Sequence, residues 1–139
     1  MTDKLNYIDL FAGAGGLSEG FKRAGLNPIA HVEIDKAAAY TLKTRTAYYY
    51  LKENNLYDKY VEYLKGEINR KELYNLIPTE LLDAVIDLGI SNENNEVIFG
   101  KINRSLGNKE VDLIIGGPPC QAYSLVGRAR SENNMKSDS

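Results

Sequence analysis

The chain has few of the residues that mark a disulfide scaffold, a metal centre or a membrane segment. It contains one cysteine and one histidine among 139 residues. A lone cysteine forms no intramolecular disulfide, which favours a reducing compartment and leaves the thiol available for chemistry. No His/Cys cluster has metal-ligand spacing, and no apolar run is long enough to span a membrane. Because the start also lacks the apolar run of a secretion signal, we expect a cytoplasmic protein without metal.

The chain also lacks an excess of either charge. It has 17 basic and 19 acidic side chains, for a net charge of −2. No global basic field therefore indicates nucleic-acid binding, and a nucleic-acid partner has to be held by a local patch or by residues outside this chain. Apolar residues make up 43% and charged residues 26%, a balance typical of one globular domain.

The first part of the sequence predicts a β-α-β unit. Residues 5–11 form an apolar strand candidate, and a glycine cluster at 13–16 follows at once. Apolar residues then recur at helical spacing, and Gly25 is a plausible helix stop. A second strand is predicted over residues 28–32, after which Asp35 is a good N-cap for another helix. This order predicts a right-handed crossover and a parallel sheet.

The rest of the chain predicts a helical insertion and the end of the sheet. Residues 46–96 are rich in lysine, glutamate, asparagine and tyrosine, and we interpret them as several helices whose tyrosines pack rather than stack on bases. Residues 97–99 are a weak third strand candidate, and residues 111–115 are a strong fourth one. The polar tail, about 121–139, is expected to be mobile. We predict an α/β fold with about four parallel strands and one open, apolar flank.

The glycine cluster indicates a site for a nucleoside cofactor. A glycine turn between strand and helix lets a ligand approach the backbone at the helix N-terminus. The spacing is Gly13-x-Gly15-x-x-Ser18, which lacks the third glycine of the dinucleotide fingerprint, and no P-loop lysine follows. Glu33 ends the next strand, where an acid can accept both hydroxyls of a ribose.

Cys120 is the main candidate for covalent chemistry. It follows a Gly-Gly-Pro-Pro turn just after the strand at 111–115, where open α/β sheets place ligands. A thiolate is the nucleophilic form, so the thiol needs a lowered pKa or a base. The sole histidine, His31, lies on the second strand and is interpreted as a packed or edge residue. A cysteine–histidine hydrolase is therefore a poor fit.

These residues together resemble the DNA (cytosine-5)-methyltransferases. Residues 9–18, Asp-Leu-Phe-Ala-Gly-Ala-Gly-Gly-Leu-Ser, resemble the first motif of that family. Residues 117–124, Gly-Pro-Pro-Cys-Gln-Ala-Tyr-Ser, resemble its catalytic motif, and residues 31–35 fit the second motif. The resemblance covers residues 5–43 and 97–130, which implies a Rossmann-like methyltransferase fold.

The resemblance implies S-adenosylmethionine as the cofactor. Glu33 would hold the ribose hydroxyls, Ile34 would pack on the adenine, and Pro119 would approach from the catalytic side. In the third motif, Lys101 stands where the family has an acid, although Ile102 could still pack on the adenine. The complete set of implied cofactor residues is Asp9, Phe11, Ala14, Gly15, Gly16, Glu33, Ile34, Ile102 and Pro119.

The resemblance also implies the reaction. A cytosine flips out of double-stranded DNA, and the Cys120 thiolate adds to its carbon-6, so that carbon-5 accepts the methyl group. Gln121 and Ser124 would lie on the loop that closes on DNA. The implied setting is restriction–modification.

Several family motifs are absent from these residues, among them the Glu-Asn-Val motif, the later arginine motif and the target-recognition region. We therefore expect residues 1–139 to be the N-terminal part of a catalytic domain, completed by a C-terminal portion or a complementing subunit. We expect the chain alone neither to methylate DNA nor to read its sequence.

Two other hypotheses stay open on the sequence. The glycine loop and Glu33 also suit a dinucleotide-dependent oxidoreductase, against which the missing third glycine and the Pro-Pro-Cys-Gln turn argue. The missing partner motifs also suit a non-catalytic interaction domain that keeps a degenerate methyltransferase half.

Overall fold

A computed structural model describes residues 4–118. Its strands form one four-stranded sheet, in the order β3-β2-β1-β4, and every pair is parallel. This arrangement confirms the predicted α/β class. In chain order, the elements are β1 (Asn6–Asp9), α1 (Gly16–Arg23), β2 (Asn27–Val32), α2 (Lys36–Glu53), α3 (Tyr57–Leu64), α4 (Arg70–Asn75), α5 (Thr79–Asp83), β3 (Val85–Ile86), α6 (Asn95–Leu106) and β4 (Leu113–Ile115).

The predicted β-α-β unit is confirmed by β1, α1 and β2. Helix α1 ends at a cap on Ala24, and Gly25 follows with φ +94°, a left-handed conformation that glycine adopts at little cost. The Asp35 side chain caps α2 by accepting a hydrogen bond from the Ala38 N–H at 2.8 Å. These two local signals place β2 and α2 where the sequence predicts them.

The main hydrophobic core lies between the sheet and α6. Its side chains come from β1, β2, β3 and α6, and each full burial of this kind contributes roughly 1.5–3 kcal/mol. The buried members are Ile8, Ile29, Ala30, Val32, Ile86, Ile98 and Ile102. A separate cluster of Ala47, Leu51, Leu73 and Ile77 holds the helices that follow β2. The sheet and the helical segment therefore each have a core.

The prediction of a third strand at residues 97–99 is wrong, because these residues belong to α6. Ile98 and Ile102 are one helical turn apart and both are buried, whereas the side chains of Val97 and Phe99 are exposed. The third strand is instead the short β3, which lies inside the segment predicted as helical. That segment, residues 46–96, therefore returns to the sheet before it ends.

The tyrosines of the helical segment pack against one another, as predicted, without becoming fully buried. The Tyr48 ring meets those of Tyr49, Tyr57 and Tyr60 edge to face, with centroids 5.1, 6.1 and 5.2 Å apart. Such pairs stabilise helix packing beyond the area they bury.

Strand β4 forms one edge of the sheet, and it pairs only with β1 among residues 4–118. Leu113 is 37% and Ile114 is 61% exposed. This exposed apolar edge confirms the predicted open flank. Within the same residues, no helix combines the length and the apolar character that a membrane span needs.

Candidate cofactor site at the carboxyl edge of the sheet

Three neighbouring strands end in an acidic residue at the same edge of the sheet. Asp9 is the last residue of β1, Glu33 follows β2 and Asp87 follows β3. Because all these strands are parallel, their carboxyl ends meet on one side. Open α/β sheets bind ligands at this edge.

Asp9 is the most unusual of the three acids. Its side chain is 1% exposed, and neither carboxylate oxygen has a hydrogen-bond partner among residues 4–118. Burial, and secondly the negative charge of Glu33, raise the pKa of Asp9 to about 6. A buried carboxylate without a partner is costly, so this group favours a ligand that brings a donor or a positive charge.

The loop between β1 and α1 is fixed against β2. The N–H groups of Phe11 and Ala12 both donate to the Val32 carbonyl, at 3.1 and 3.0 Å. Phe11 has φ +69°, which is unusual for a residue other than glycine, and its ring is partly exposed at the edge. Gly15 has φ +90°, and a Cβ there would lie 2.8 Å from Leu42 Cδ2. Both the backbone conformation and the contact with the buried Leu42 side chain therefore favour glycine at this position.

The second strand places an acid and an apolar side chain next to each other. The Glu33 N–H donates to the Ile86 carbonyl at 2.9 Å, which ties this residue to β3. Ile34 is 73% exposed, and a Cβ on Gly89 would lie 2.6 Å from its Cδ1. The Ile34 side chain therefore lies against the segment that follows β3, at Gly89, two residues after Asp87.

The end of β4 reaches the same loop. A Cβ on Gly116 would lie 3.2 Å from the Leu10 carbonyl oxygen and 3.6 Å from Phe11 Cδ2. The Leu10 N–H donates to the Ile115 carbonyl at 2.9 Å. The turn that leads towards Cys120 therefore leaves the sheet beside the glycine loop.

The structure brings most of the described candidate residues to this edge. Asp9, Phe11, Glu33 and Ile34 lie at strand ends or directly after them, whereas Ala14, Gly15 and Gly16 lie in the loop or at the start of α1. Pro119, Cys120, Gln121 and Ser124 lie outside the described residues.

The structure does not bring Ile102 to this edge. Its side chain is 7% exposed and packs inside the core between α6 and the sheet. Asp87 is an acid at this edge that the sequence analysis does not include among its candidates. Its signal is the run Val-Ile-Asp-Leu at residues 85–88, which repeats the pattern of an apolar strand ending in an acid.

His31 packs inside the fold, as expected. Its Nε2 is 2.8 Å from the Ser18 hydroxyl, which in turn lies 2.7 Å from the Tyr7 hydroxyl. Burial, and secondly the nearby Lys22 charge, lower the pKa of His31 to about 4. The ring is therefore neutral at pH 7. Among residues 4–118, no group of histidine, cysteine, aspartate and glutamate side chains is arranged to hold a metal ion.

The all-parallel sheet, the glycine loop after β1 and the surrounding helices form a Rossmann-like α/β domain. The family model described as C-5 cytosine-specific DNA methylase matches residues 5–71 and 86–138. The chain belongs to this family. The internal stretch that the family model leaves unmatched, residues 72–85, carries α5 and the adjoining parts of α4 and β3.

Similar proteins are type II methyltransferases. The chain is 40% identical to M.Bpa9945I of Bacillus paralicheniformis, over 95% of this chain and 34% of that protein. It is 31% identical to M1.HphI of Haemophilus parahaemolyticus, over 89% of this chain and 23% of that protein. It is 33% identical to M.DdeI of Desulfomicrobium norvegicum, over 88% of this chain and 20% of that protein. The chain thus spans about a third or less of these relatives. No solved structure gives a significant match.

Proposed function

We propose that this chain is the part of a DNA (cytosine-5)-methyltransferase that binds the methyl donor and carries the nucleophile. The donor is S-adenosylmethionine, the substrate is cytosine in double-stranded DNA, and the setting is restriction–modification in the cytoplasm. The observation that carries the proposal is the row of acids at the ends of three neighbouring strands. The membership of the chain in the cytosine-specific methylase family supports it.

The residues at the carboxyl edge fit S-adenosylmethionine by their chemistry. Glu33 would accept the ribose hydroxyls, and the exposed Ile34 side chain would pack on the adenine. The third motif of the family has an acid where this sequence has Lys101. Asp87 would take the role of that acid, and its carboxylate would accept a hydrogen bond from the adenine amino group. Asp9, which lacks a partner among residues 4–118, would face the positively charged part of the ligand. When bound, S-adenosylmethionine supplies an electrophilic methyl group.

Cys120 would act as the nucleophile towards the flipped base, with Gln121 and Ser124 on the loop that closes on DNA. It follows the last residue of β4, Ile115, by five positions. Addition of the thiolate to carbon-6 makes carbon-5 nucleophilic, and later loss of the carbon-5 proton releases the cysteine. A C-terminal portion or a complementing subunit would supply the Glu-Asn-Val motif and target recognition.

The two other hypotheses are weaker after these findings. A dinucleotide oxidoreductase would not match the cytosine-specific methylase model over most of the chain. The acids at the strand ends and the intact Pro-Cys-Gln sequence argue against a degenerate, non-catalytic half, because such a half does not need them for catalysis.

Transfer of labelled methyl groups to DNA tests the proposal. The chain should transfer none alone, and it should transfer label when mixed with a C-terminal polypeptide that carries the Glu-Asn-Val motif. Cys120→Ala should abolish this transfer. A mixture whose transfer survives Cys120→Ala would contradict the role of the thiol. If the isolated chain transfers label and this transfer requires Cys120, the chain does not depend on a C-terminal portion, which would contradict the proposal.

A further inference from the structure

A cavity of about 590 Å³ lies among the helices, apart from the carboxyl edge. Its walls come from α1, α2, α3 and α4, and none of the acids at the strand ends lines it. Its volume falls in the range of small-molecule sites, roughly 300–1,000 Å³. Five tyrosines and two arginines line this tyrosine–arginine cavity, and they are Tyr40, Tyr48, Tyr49, Tyr60, Tyr63, Arg45 and Arg70.

The tyrosine rings form rigid walls that still have exposed surface. All five are half-buried rather than buried. Tyr48 meets Tyr49 and Tyr60 edge to face, with centroids 5.1 and 5.2 Å apart, so their orientations are fixed by mutual packing. Aromatic side chains with few rotatable bonds offer contact area to a planar ligand at low entropic cost.

The cavity also carries a positive charge that is not neutralised. The guanidinium of Arg70 lies 3.5 Å from the centroid of the Tyr40 ring. Arg70 forms no salt bridge with a carboxylate among residues 4–118. Arg45 is held 3.2 Å from Glu19, the only acid in the lining. Arginine stacked on an aromatic ring in this way presents its N–H groups to phosphate.

We propose that the tyrosine–arginine cavity binds a nucleotide unit, with the base on the tyrosine walls and the phosphate on Arg70. An organic cation is disfavoured because Arg70 has no balancing acid. A purely apolar ligand is disfavoured because hydroxyl groups and guanidinium groups share the lining. Stacking on tyrosine tolerates any base, so the site recognises the nucleotide class rather than one base.

Calorimetric titration of the chain with uridine monophosphate tests the proposal. A pyrimidine nucleotide avoids the adenosine chemistry expected at the carboxyl edge. We expect one nucleotide per chain, with uridine and ribose 5-phosphate each binding about tenfold or more weakly, because each lacks one of the two contacts. No binding of uridine monophosphate to the wild-type chain would overturn the proposal.

Two variants and their matched controls locate the bound nucleotide. Arg70→Gln and Tyr40→Leu should each weaken binding about tenfold or more. Lys71→Gln removes the same charge from the next residue of α4, and Tyr50→Leu removes a tyrosine of α2 that lies outside the lining, so both should bind like wild type. Circular dichroism confirms that each variant is folded. If Arg70→Gln and Tyr40→Leu bind uridine monophosphate as tightly as the wild-type chain does, the proposal is overturned. Loss of binding in Glu33→Gln would also overturn it.

A further titration separates two sources of the nucleotide unit. An oligouridylate of about six nucleotides should bind more tightly than the mononucleotide if the natural ligand is a single strand, because neighbouring phosphates add contacts. If the oligouridylate and uridine monophosphate bind with equal affinity, the natural ligand of the cavity is a free nucleotide. In both cases Arg70→Gln has to weaken binding, and an oligonucleotide that binds equally well to Arg70→Gln would contradict the site.

Discussion

Asp9 and His31 are neighbouring titratable residues whose pKa values move in opposite directions. They are partners in the register of β1 and β2. Burial disfavours the charged form of both, which raises the pKa of Asp9 to about 6 and lowers the pKa of His31 to about 4. Their contributions to stability therefore have opposite pH dependences over nearly the same range, and single substitutions are needed to separate them.

Asp9→Asn should remove a pH-dependent cost. The unfolded carboxyl ionises near its ordinary value of 3.8, whereas the folded one ionises near 6. Stability contributed by Asp9 therefore falls as the pH rises from about 4 to about 6, by about 3 kcal/mol in total. In urea unfolding, the free energy of unfolding of Asp9→Asn relative to that of wild type should therefore rise by about 3 kcal/mol between pH 4 and pH 7.5.

The exposed carboxylate of Asp83 provides the matched control. Asp83→Asn removes one negative charge away from the carboxyl edge. If Asp9→Asn and Asp83→Asn have the same free-energy difference from wild type at every pH, Asp9 does not carry the predicted cost.

His31→Gln should remove the opposite dependence. The unfolded imidazole is protonated below its ordinary pKa of 6.5, whereas the folded ring stays neutral down to about pH 4. Stability contributed by His31 is therefore lost as the pH falls from about 6.5 to about 4, by about 3 kcal/mol or less, since the ring is not fully enclosed. Urea unfolding of His31→Gln should show a smaller loss on acidification than wild type. An equal or larger loss would contradict this assignment.

At the scale of elements, the β1–α1 loop depends on two glycines for different reasons. Gly13 and Gly15 both have positive φ, but only Gly15 faces a neighbour, with its Cβ position 2.8 Å from Leu42 Cδ2. Gly13→Ala should therefore cost only the backbone strain, roughly 1–2 kcal/mol. Gly15→Ala should add overpacking, for a total of roughly 2–5 kcal/mol.

Urea unfolding measures both costs. Gly16→Ala is the control, because Gly16 has no positive φ and no neighbour within 4 Å of its Cβ position. It should leave stability nearly unchanged or raise it, since alanine favours the helix. Equal costs for Gly13→Ala and Gly15→Ala would show that the contact with Leu42 is unimportant.

The elements that the sequence predicts well have a strong local signal. Gly25 and the Asp35 cap fix the ends of α1 and the start of α2, because backbone conformation and capping act within a few residues. The same locality explains why Glu33 could be placed at a strand end from the sequence. Other cofactor candidates, Ile34 and Pro119 among them, come from the family's motif positions rather than from spacing.

The errors come from short segments whose state is decided by tertiary packing. Residues 97–99 are β-branched and aromatic, but the core selects the helical spacing of Ile98 and Ile102. Strand β3 has two residues, too few for an alternating pattern, and it is defined by its pairing with β2. The sequence analysis therefore did not place Asp87 at a strand end.

At the scale of the whole molecule, the open edge at β4 predicts self-association. Unpaired backbone groups and exposed apolar side chains on an edge strand favour pairing between chains. Ile114 is 61% exposed at this edge. Sedimentation velocity should show concentration-dependent association that Ile114→Lys reduces. Val97→Lys changes a similarly exposed side chain on α6 and should leave association unchanged. A monomer at all concentrations would contradict this prediction.

Calorimetric binding of S-adenosylmethionine to the chain tests the central claim most directly. We predict that the chain binds S-adenosylmethionine in preference to NAD. Glu33→Gln should weaken that binding roughly tenfold or more, because the hydroxyls lose a charged acceptor, whereas Glu80→Gln, on an exposed helix position, should not. Preference for NAD, or affinity for S-adenosylmethionine that Glu33→Gln leaves unchanged, would contradict the claim.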